Sequence, residues 1–248
     1  MNELSAAGAK SALAAFASPR RAIDLARFFQ TAPGQYGEGD KFIGCTVPQS
    51  REVAKQFRDL PAADIFELAQ SEIHEHRLCA LHILVEQFKK AKTAGTRDEL
   101  FDLWMRLLDA GKINNWDLID TSAPYLGSWW SNKTHALQRL TELAAHEDLW
   151  HRRAAVLFTF GLIRDGRFDI TLALCEQLLD DKHDLIHKAT GWMLREVGNR
   201  DIEVLRGFLT QHAATMPRTM LRYAIEKLEP SERAIWMRKR SEQAALGA

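Results

Sequence analysis

Cysteine is scarce in this chain of 248 residues: only Cys45, Cys79 and Cys175 occur, far apart and odd in number. That excludes a disulfide framework and a paired-cysteine metal site, and leaves small buried hydrophobes in a reducing compartment as the plain reading. Net charge is missing too. Lysine plus arginine and aspartate plus glutamate stand at 33 each, which rules out a uniformly basic coat for nucleic acid but leaves a local basic stripe open. No apolar run approaches the roughly 20 residues that span a bilayer. The first residues, "MNELSAAGAKSALAAFASPRR", are interrupted by Glu3 and Lys10 and read as an amphipathic helix. The expected location is therefore the cytoplasm, with no membrane contact. No glycine-rich phosphate loop follows a strand, and no serine or cysteine nucleophile has a recognisable partner, so nucleotide hydrolysis and acyl transfer are disfavoured and no cofactor is expected.

What the chain does have is helical periodicity. Apolar residues recur at helical spacing in "DIFELAQ", "RLCALHILVEQFKK", "ELFDLWMRLLDA", "HALQRLTELAA", "RRAAVLFTFGLI", "ITLALCEQLLD" and "KATGWMLREV". Nowhere do β-branched and polar residues alternate strictly. Breaks are expected at "TAPGQYGEGD", "TAGTRD", "TSAPYLGS", "RDGRFD", "GNRD" and "TMP". Segments beginning at His76, Asn114, His151 and His187 align, which gives a two-helix period. The expected fold is all-α, one domain over residues 1–248, a solenoid of stacked antiparallel helix pairs of HEAT-like type with a concave groove. An irregular helical bundle is the alternative, and it predicts no shared face.

The register offers one. Trp116, Arg153 and Ala189 fall at the same place in successive repeats, with Asp120 and Trp192 one turn beyond it. Indoles and a guanidinium grouped around one carboxylate suit a cationic or sugar-containing ligand. Each residue also has a structural reading. Asp120 can bond backbone amides in a turn at "DTSAP", Trp116 and Trp192 can fill a core, and Arg153, beside Arg152, can be a solvated charge. The remaining tryptophans, Trp104, Trp129, Trp130, Trp150 and Trp236, default to core. His183 and His187 stand four apart, as metal ligands do, but lack a third ligand, so no metal is expected. His74, His76 and His82 read as surface or satisfied core groups. From Lys188 to Arg240 basic residues outnumber acids. Those reaching the groove would hold phosphates, and the others would form a solvated face.

Two stretches, "FFQTAPGQYGEGDKFIGCTVPQSREVAKQFRDL" and "INNWDLIDTSAP", followed by "WHRRAAVLF" and "HKATGWMLREV", resemble the HEAT-like-repeat DNA glycosylases of the bacterial DNA alkylation repair family. The resemblance runs from about residue 15 to residue 230. It implies removal of N3- and N7-alkylated purines from duplex DNA by an enzyme without a cofactor, and a monomer is the expected state. It also implies Asp120 as the catalytic aspartate, Trp116 and Trp192 as its flanking tryptophans, and Arg153 as the groove arginine. Arg152, Lys188 and Phe28 join the expected DNA-binding set; some members of the family have a tyrosine where this chain has Phe28. The resemblance further implies that the lesion is not enclosed in a base-flipping pocket. A non-catalytic scaffold that binds DNA structures or proteins is the alternative function.

Overall fold

The computed structural model describes residues 3–246, with side chains through 238, and these form an all-α helical repeat. Among the described residues there is no strand, only an isolated bridge between Lys41 and Ile73. The aligned segments at His76, Asn114, His151 and His187 fall in, or just before, every second helix, so the repeated unit is a helix pair. Contacts divide the chain into two compact units, Met1–Ser122 and Ala123–Ala248, where the sequence suggests one continuous domain. Repeats touch mainly their neighbours, so such a division can fall inside a helix instead of at a linker. No described helix is long and apolar enough to cross a membrane.

The first unit contains α1 (Ala6–Ala14), α2 (Pro19–Phe28), α3 (Val47–Gln56), α4 (Ala62–Ala69), α5 (His74–Lys90), α6 (Ala94–Asp109) and the start of α7 (Trp116–Leu126). The amphipathic reading of the first residues is realised over α1; Met1 and Asn2 lie outside the described residues. α5 is the spine. Its run from Leu78 to Val85 is buried because α3, α4 and α6 all pack on it, so its apolar residues surround the helix and do not form one stripe. Each such buried leucine or isoleucine contributes roughly 1.5–3 kcal/mol. α3 begins with a capping box, the Thr46 hydroxyl taking the Gln49 N–H while the Gln49 side chain takes the Thr46 N–H. α2 differs from the rest: none of its residues is buried.

Three expected breaks shift: the one at "GNRD" narrows to Asp201, because the helix Asp184–Arg200 takes in Gly198, Asn199 and Arg200. "TAGTRD" is mostly helical, because Thr93 caps α6 by accepting the Thr96 N–H at 3.1 Å. The break at "TSAPYLGS" does not form where expected, since α7 continues through Pro124 to Leu126. Pro124 has no N–H to give the carbonyl of Asp120, four residues back, so the helix is weakest there.

The second unit continues with a 3-10 turn (Gly127–Asn132), α8 (Ala136–Ala144), α9 (Leu149–Arg164), α10 (Asp169–Gln177), α11 (Asp184–Arg200), α12 (Ile202–His212), α13 (Arg218–Ala224) and α14 (Pro230–Leu246). α9 and α11 pack together at its centre, and Leu194, Leu205, Phe208, Met220, Leu221 and Trp236 belong to a core at its C-terminal end. α9 and the 3-10 turn meet backbone to backbone. A Cβ on Gly161 would lie 2.4 Å from the Gly127 carbonyl carbon, and one on Gly127 would lie 2.0 Å from the Phe158 oxygen. Gly161→Ala therefore forces the two elements apart and is expected to destabilise by about 1–3 kcal/mol. At about 2–4 °C per kcal/mol for a chain of this size, calorimetry should show a lowered Tm; an unchanged Tm would mean that the contact gives way freely.

Candidate active site

The site in the first unit starts from a loop. Between α2 and α3 the chain turns back through "QYGEGDKFIGC", and the buried Glu75 carboxylate of α5 fixes its end by accepting the N–H groups of Gly44 at 2.7 Å, Cys45 at 3.1 Å and Ile43 at 3.1 Å. Gly44 has φ +86, and a Cβ there would also stand 2.2 Å from the Ser18 oxygen, so only glycine fits. Its carbonyl accepts the Arg21 Nε–H at 2.8 Å, which ties α2 to the same point.

Beneath this loop lies a buried ionic chain. His74, the first residue of α5, is 1% exposed. Its Nδ1 is 3.0 Å from Asp40 Oδ2 and its Nε2 is 2.9 Å from Asp117 Oδ2, in the first turn of α7. A carboxylate at each ring nitrogen needs a proton on both, so the geometry is that of an imidazolium. Burial opposes that charge, but Asp117 and then Asp40 outweigh it and push the His74 pKa up to about 9. Burial likewise works against the Asp40 carboxylate, yet the His74 hydrogen bond, the Arg77 guanidinium and Asn115 together hold its pKa down at about 2. Arg77 Nη2 donates to Asp40 Oδ1 at 2.6 Å and to Asn114 Oδ1 at 3.1 Å. Asn115 donates to Asp40 at 3.2 Å and accepts the Trp116 N–H at 2.9 Å, which starts α7. The other histidines expected as core groups differ from His74: burial pushes His76 and His82 down to about 4.

Over this chain stand aromatic rings. Phe29 stacks on Trp116 at 5.4 Å and lies 5.0 Å from the His74 ring, Phe42 stacks on His74 at 4.7 Å, and Phe28 meets Trp116 edge-on at 5.9 Å. They wall a cavity of about 770 Å³ that is also lined by Asp24, Asp117 and Asp120. Trp116, Asp120 and Phe28 are thus brought to one cavity, and Phe28 is 62% exposed at its edge. The aromatic walls offer faces that suit a flat or cationic group, with the carboxylates of Asp24, Asp117 and Asp120 and the guanidinium groups of Arg21 and Arg51 in the same lining.

The remaining expected site residues belong to the second unit. Trp192 on α11 is half-buried, its Nε1 donating to Glu196 at 3.0 Å and its ring 6.4 Å from Phe160. Arg153 on α9 is 4% exposed and its Nη1 donates to the Leu185 carbonyl. Leu78 and Ala189, at the same register position, are buried as well, so of the aligned residues only Trp116 is partly open. Arg152 donates to Asp181 at 2.8 Å and to the carbonyls of His146 and Glu147, and Lys188 pairs with Asp184 at 2.8 Å. Farther along, Arg195 pairs with Glu226 and Arg206 with Glu232; the side chains of Lys239 and Arg240 lie outside the described residues. Trp104, Trp130, Trp150 and Trp236 are buried as expected, whereas Trp129 is half-buried with Lys133 3.9 Å above its ring.

Among the described residues, His146, Asp148 and His151 place ligand atoms within 4.8 Å of one another. These atoms serve the start of α9. Asp148 Oδ1 accepts the N–H groups of Trp150 at 2.9 Å and His151 at 3.1 Å and faces His151 Nδ1 at 2.8 Å. His146 Nδ1 accepts the Asp148 N–H at 3.0 Å, which leaves the proton of a neutral ring on Nε2. The His183 and His187 pair is occupied similarly, by the Leu185 N–H and the Asp181 carbonyl. All three cysteines are free and buried.

A family model described as DNA alkylation repair enzyme matches residues 9–228. The chain belongs to the DNA alkylation repair enzyme family. Membership supports an enzyme with a role in the repair of alkylated DNA. A solved structure titled as a predicted DNA alkylation repair enzyme from Enterococcus faecalis shares its fold with a TM-score of 0.65 at 15% identity, over 86% of this chain and 97% of that one. A search of curated proteins gives no match. Sequence reasoning missed Asp40, His74, Arg77 and Asp117 as site residues: the partners are 34, 37 and 43 positions apart, and no local spacing signals such a network.

Proposed function

We propose that the protein is a DNA glycosylase of this family, monomeric and cytoplasmic, that releases cationic N3- and N7-alkylated purines from duplex DNA held in the groove of a HEAT-like solenoid. The observation that carries this reading is that Asp120 and Trp116 line one aromatic-walled cavity. Alkylation at N7 or N3 gives the purine a fixed positive charge, so the base leaves as a neutral molecule and needs no acid. The charge that must be stabilised is the one that moves to the deoxyribose as the glycosidic bond stretches. Asp120 supplies the opposite charge in a partly dried site and aligns the attacking water. Trp116 offers its negative π face to the sugar, and Trp192 is the second indole of the motif. Phe28 contributes contact area without a phenol. The cavity takes the sugar and backbone of the lesioned nucleotide while the base stays outside, an arrangement that avoids enclosing it as most base-excising enzymes do.

Arg152, Arg153 and Lys188 are the phosphate-binding set of this reading. Lys188 has the smallest rearrangement to make, since its partner Asp184 is exposed and such pairs are worth at most about 1 kcal/mol. Lys188→Ala is expected to weaken DNA binding and to reduce the slope of log K against log salt by about 0.9; an unchanged slope removes Lys188 from the set. The internal pairing of all three cations favours the second reading, a non-catalytic scaffold for DNA structures or proteins. Liberation of 7-methylguanine from methylated duplex separates the two: free base above the buffer control supports the glycosylase, and its absence supports the scaffold.

A further inference from the structure

We infer that His74 is a positioning residue of this site, bridging Asp40 and Asp117 through both ring nitrogens so that the first turn of α7 presents Trp116 and Asp120 to the cavity. The inference rests on the reading of Asp120 as the catalytic carboxylate. It stands on geometry from two directions. Through Asp117, His74 holds α7 by its second residue, and the other oxygen of that carboxylate, Oδ1, is buried without a hydrogen bond. His74 is thus the group that compensates it, and a buried carboxylate left unpaired would pull its helix toward solvent. Through Phe29, which lies against both rings, His74 also backs the face of Trp116. Phe42 covers its other neighbourhood, so the imidazole has little room to swing.

The charged groups around it account for its protonation. Asp40 comes from the loop, Asp117 and Asp120 from α7, and Arg77 and Glu75 from α5; Arg21 and Asp24 of α2 and Arg51 of α3 line the same cavity. Arg77 is taken up by Asp40, Glu75 by three backbone N–H groups and Arg21 by the Gly44 carbonyl. The two carboxylates in direct contact with the ring therefore dominate. Asp117 and Asp120 also sit three apart on one helix, where like charges repel; an imidazolium on Asp117 relieves that repulsion and favours a stable α7 start.

The His74 pKa is raised, so the bridge is intact at neutral pH and is lost as pH rises through about 9. In the full-length protein, kcat for release of 7-methylguanine is expected to fall above that pH. His74→Gln keeps donors but not the charge; it should lower kcat at neutral pH on the order of 10- to 100-fold with little change in KM, and abolish the alkaline limb. Asp117→Asn keeps the shape of the turn and should move the limb to lower pH, which decides the matter should His74→Gln fail to fold. An unmoved limb and unchanged kcat in a folded variant would overturn the inference. Two measurements without DNA separate this outcome from failure of the glycosylase reading: NMR titration of the His74 imidazole, and hydrogen exchange of the α7 amides. An imidazole that titrates near 9 while α7 exchange accelerates supports the positioning role even where wild-type protein releases no base. An imidazole already neutral at pH 7 overturns it.

Discussion

Asp120→Asn should lower the rate of base release from methylated duplex about 10²- to 10³-fold, equivalent to about 2.7 to 4 kcal/mol of transition-state stabilisation, and leave DNA affinity in place. The side chain keeps its size and its place on α7, so the loss isolates the negative charge. That charge is useful because the deoxyribose becomes cationic only as the bond breaks; interactions that strengthen at that moment raise kcat without tightening substrate binding. The rings of Phe28, Phe29, Phe42 and Trp116 line the cavity with it, and a charge acts more strongly beside apolar groups than in bulk water. Single-turnover release measured with saturating enzyme, alongside a binding titration, makes the comparison. Undiminished release would reject Asp120 as the catalytic group, and lost affinity with intact chemistry would make it a binding residue.

Asp40→Ala is expected to produce the largest loss of stability, about 3–5 kcal/mol, because it strands buried cationic partners. Asp40 receives His74, Arg77, Asn114 and Asn115 at once, and Arg77 and His74 are buried with it. At about 2–4 °C per kcal/mol the Tm should fall by roughly 6–20 °C. The pH dependence gives a signature that a simple cavity would lack. The Asp40 pKa is depressed to about 2, so its contribution is present above the ordinary carboxylate range and is lost as pH falls toward 2. The His74 pKa is raised to about 9, so its contribution is complete below about 6.5 and is lost as pH rises through 9. The variant should therefore lose the acid-side dependence and begin its alkaline loss at lower pH, since only Asp117 then holds the imidazolium. Denaturant melts from pH 3 to pH 10 would test this, and parallel curves for variant and wild type would contradict it.

The helical repeat was legible because amphipathic helices leave a period that needs no partner to be seen: the segments from His76, Asn114, His151 and His187 fall two helices apart as read. The approach of Trp116 and Asp120 to one cavity follows from a spacing of four on a helix. Three features were hidden for physical reasons. Proline usually ends a helix, yet α7 tolerates Pro124 within it, and the packing that permits this is not local. Register says which side of a helix a residue occupies but not whether that side meets solvent. Leu78 and Ala189 at the place of Arg153 were the available hint that the side is interior. Finally, the Asp40–His74–Asp117 chain joins a loop and two helix starts, and ionic partners that distant in sequence leave no periodic mark. Gly44 lies in the first of the stretches that carry the family resemblance, but its reason, a positive φ under the Glu75 carboxylate, needs the fold.

On the glycosylase reading a carboxylate, with no acid, expels a base that already carries a positive charge. The most direct test of that reading compares two duplexes, one bearing 7-methylguanine and one bearing the uncharged adduct ethenoadenine, with the released bases quantified by mass spectrometry after incubation with the wild-type protein. The account predicts free 7-methylguanine well above the spontaneous rate and almost no ethenoadenine. Equal release of both, or release of neither, would contradict it.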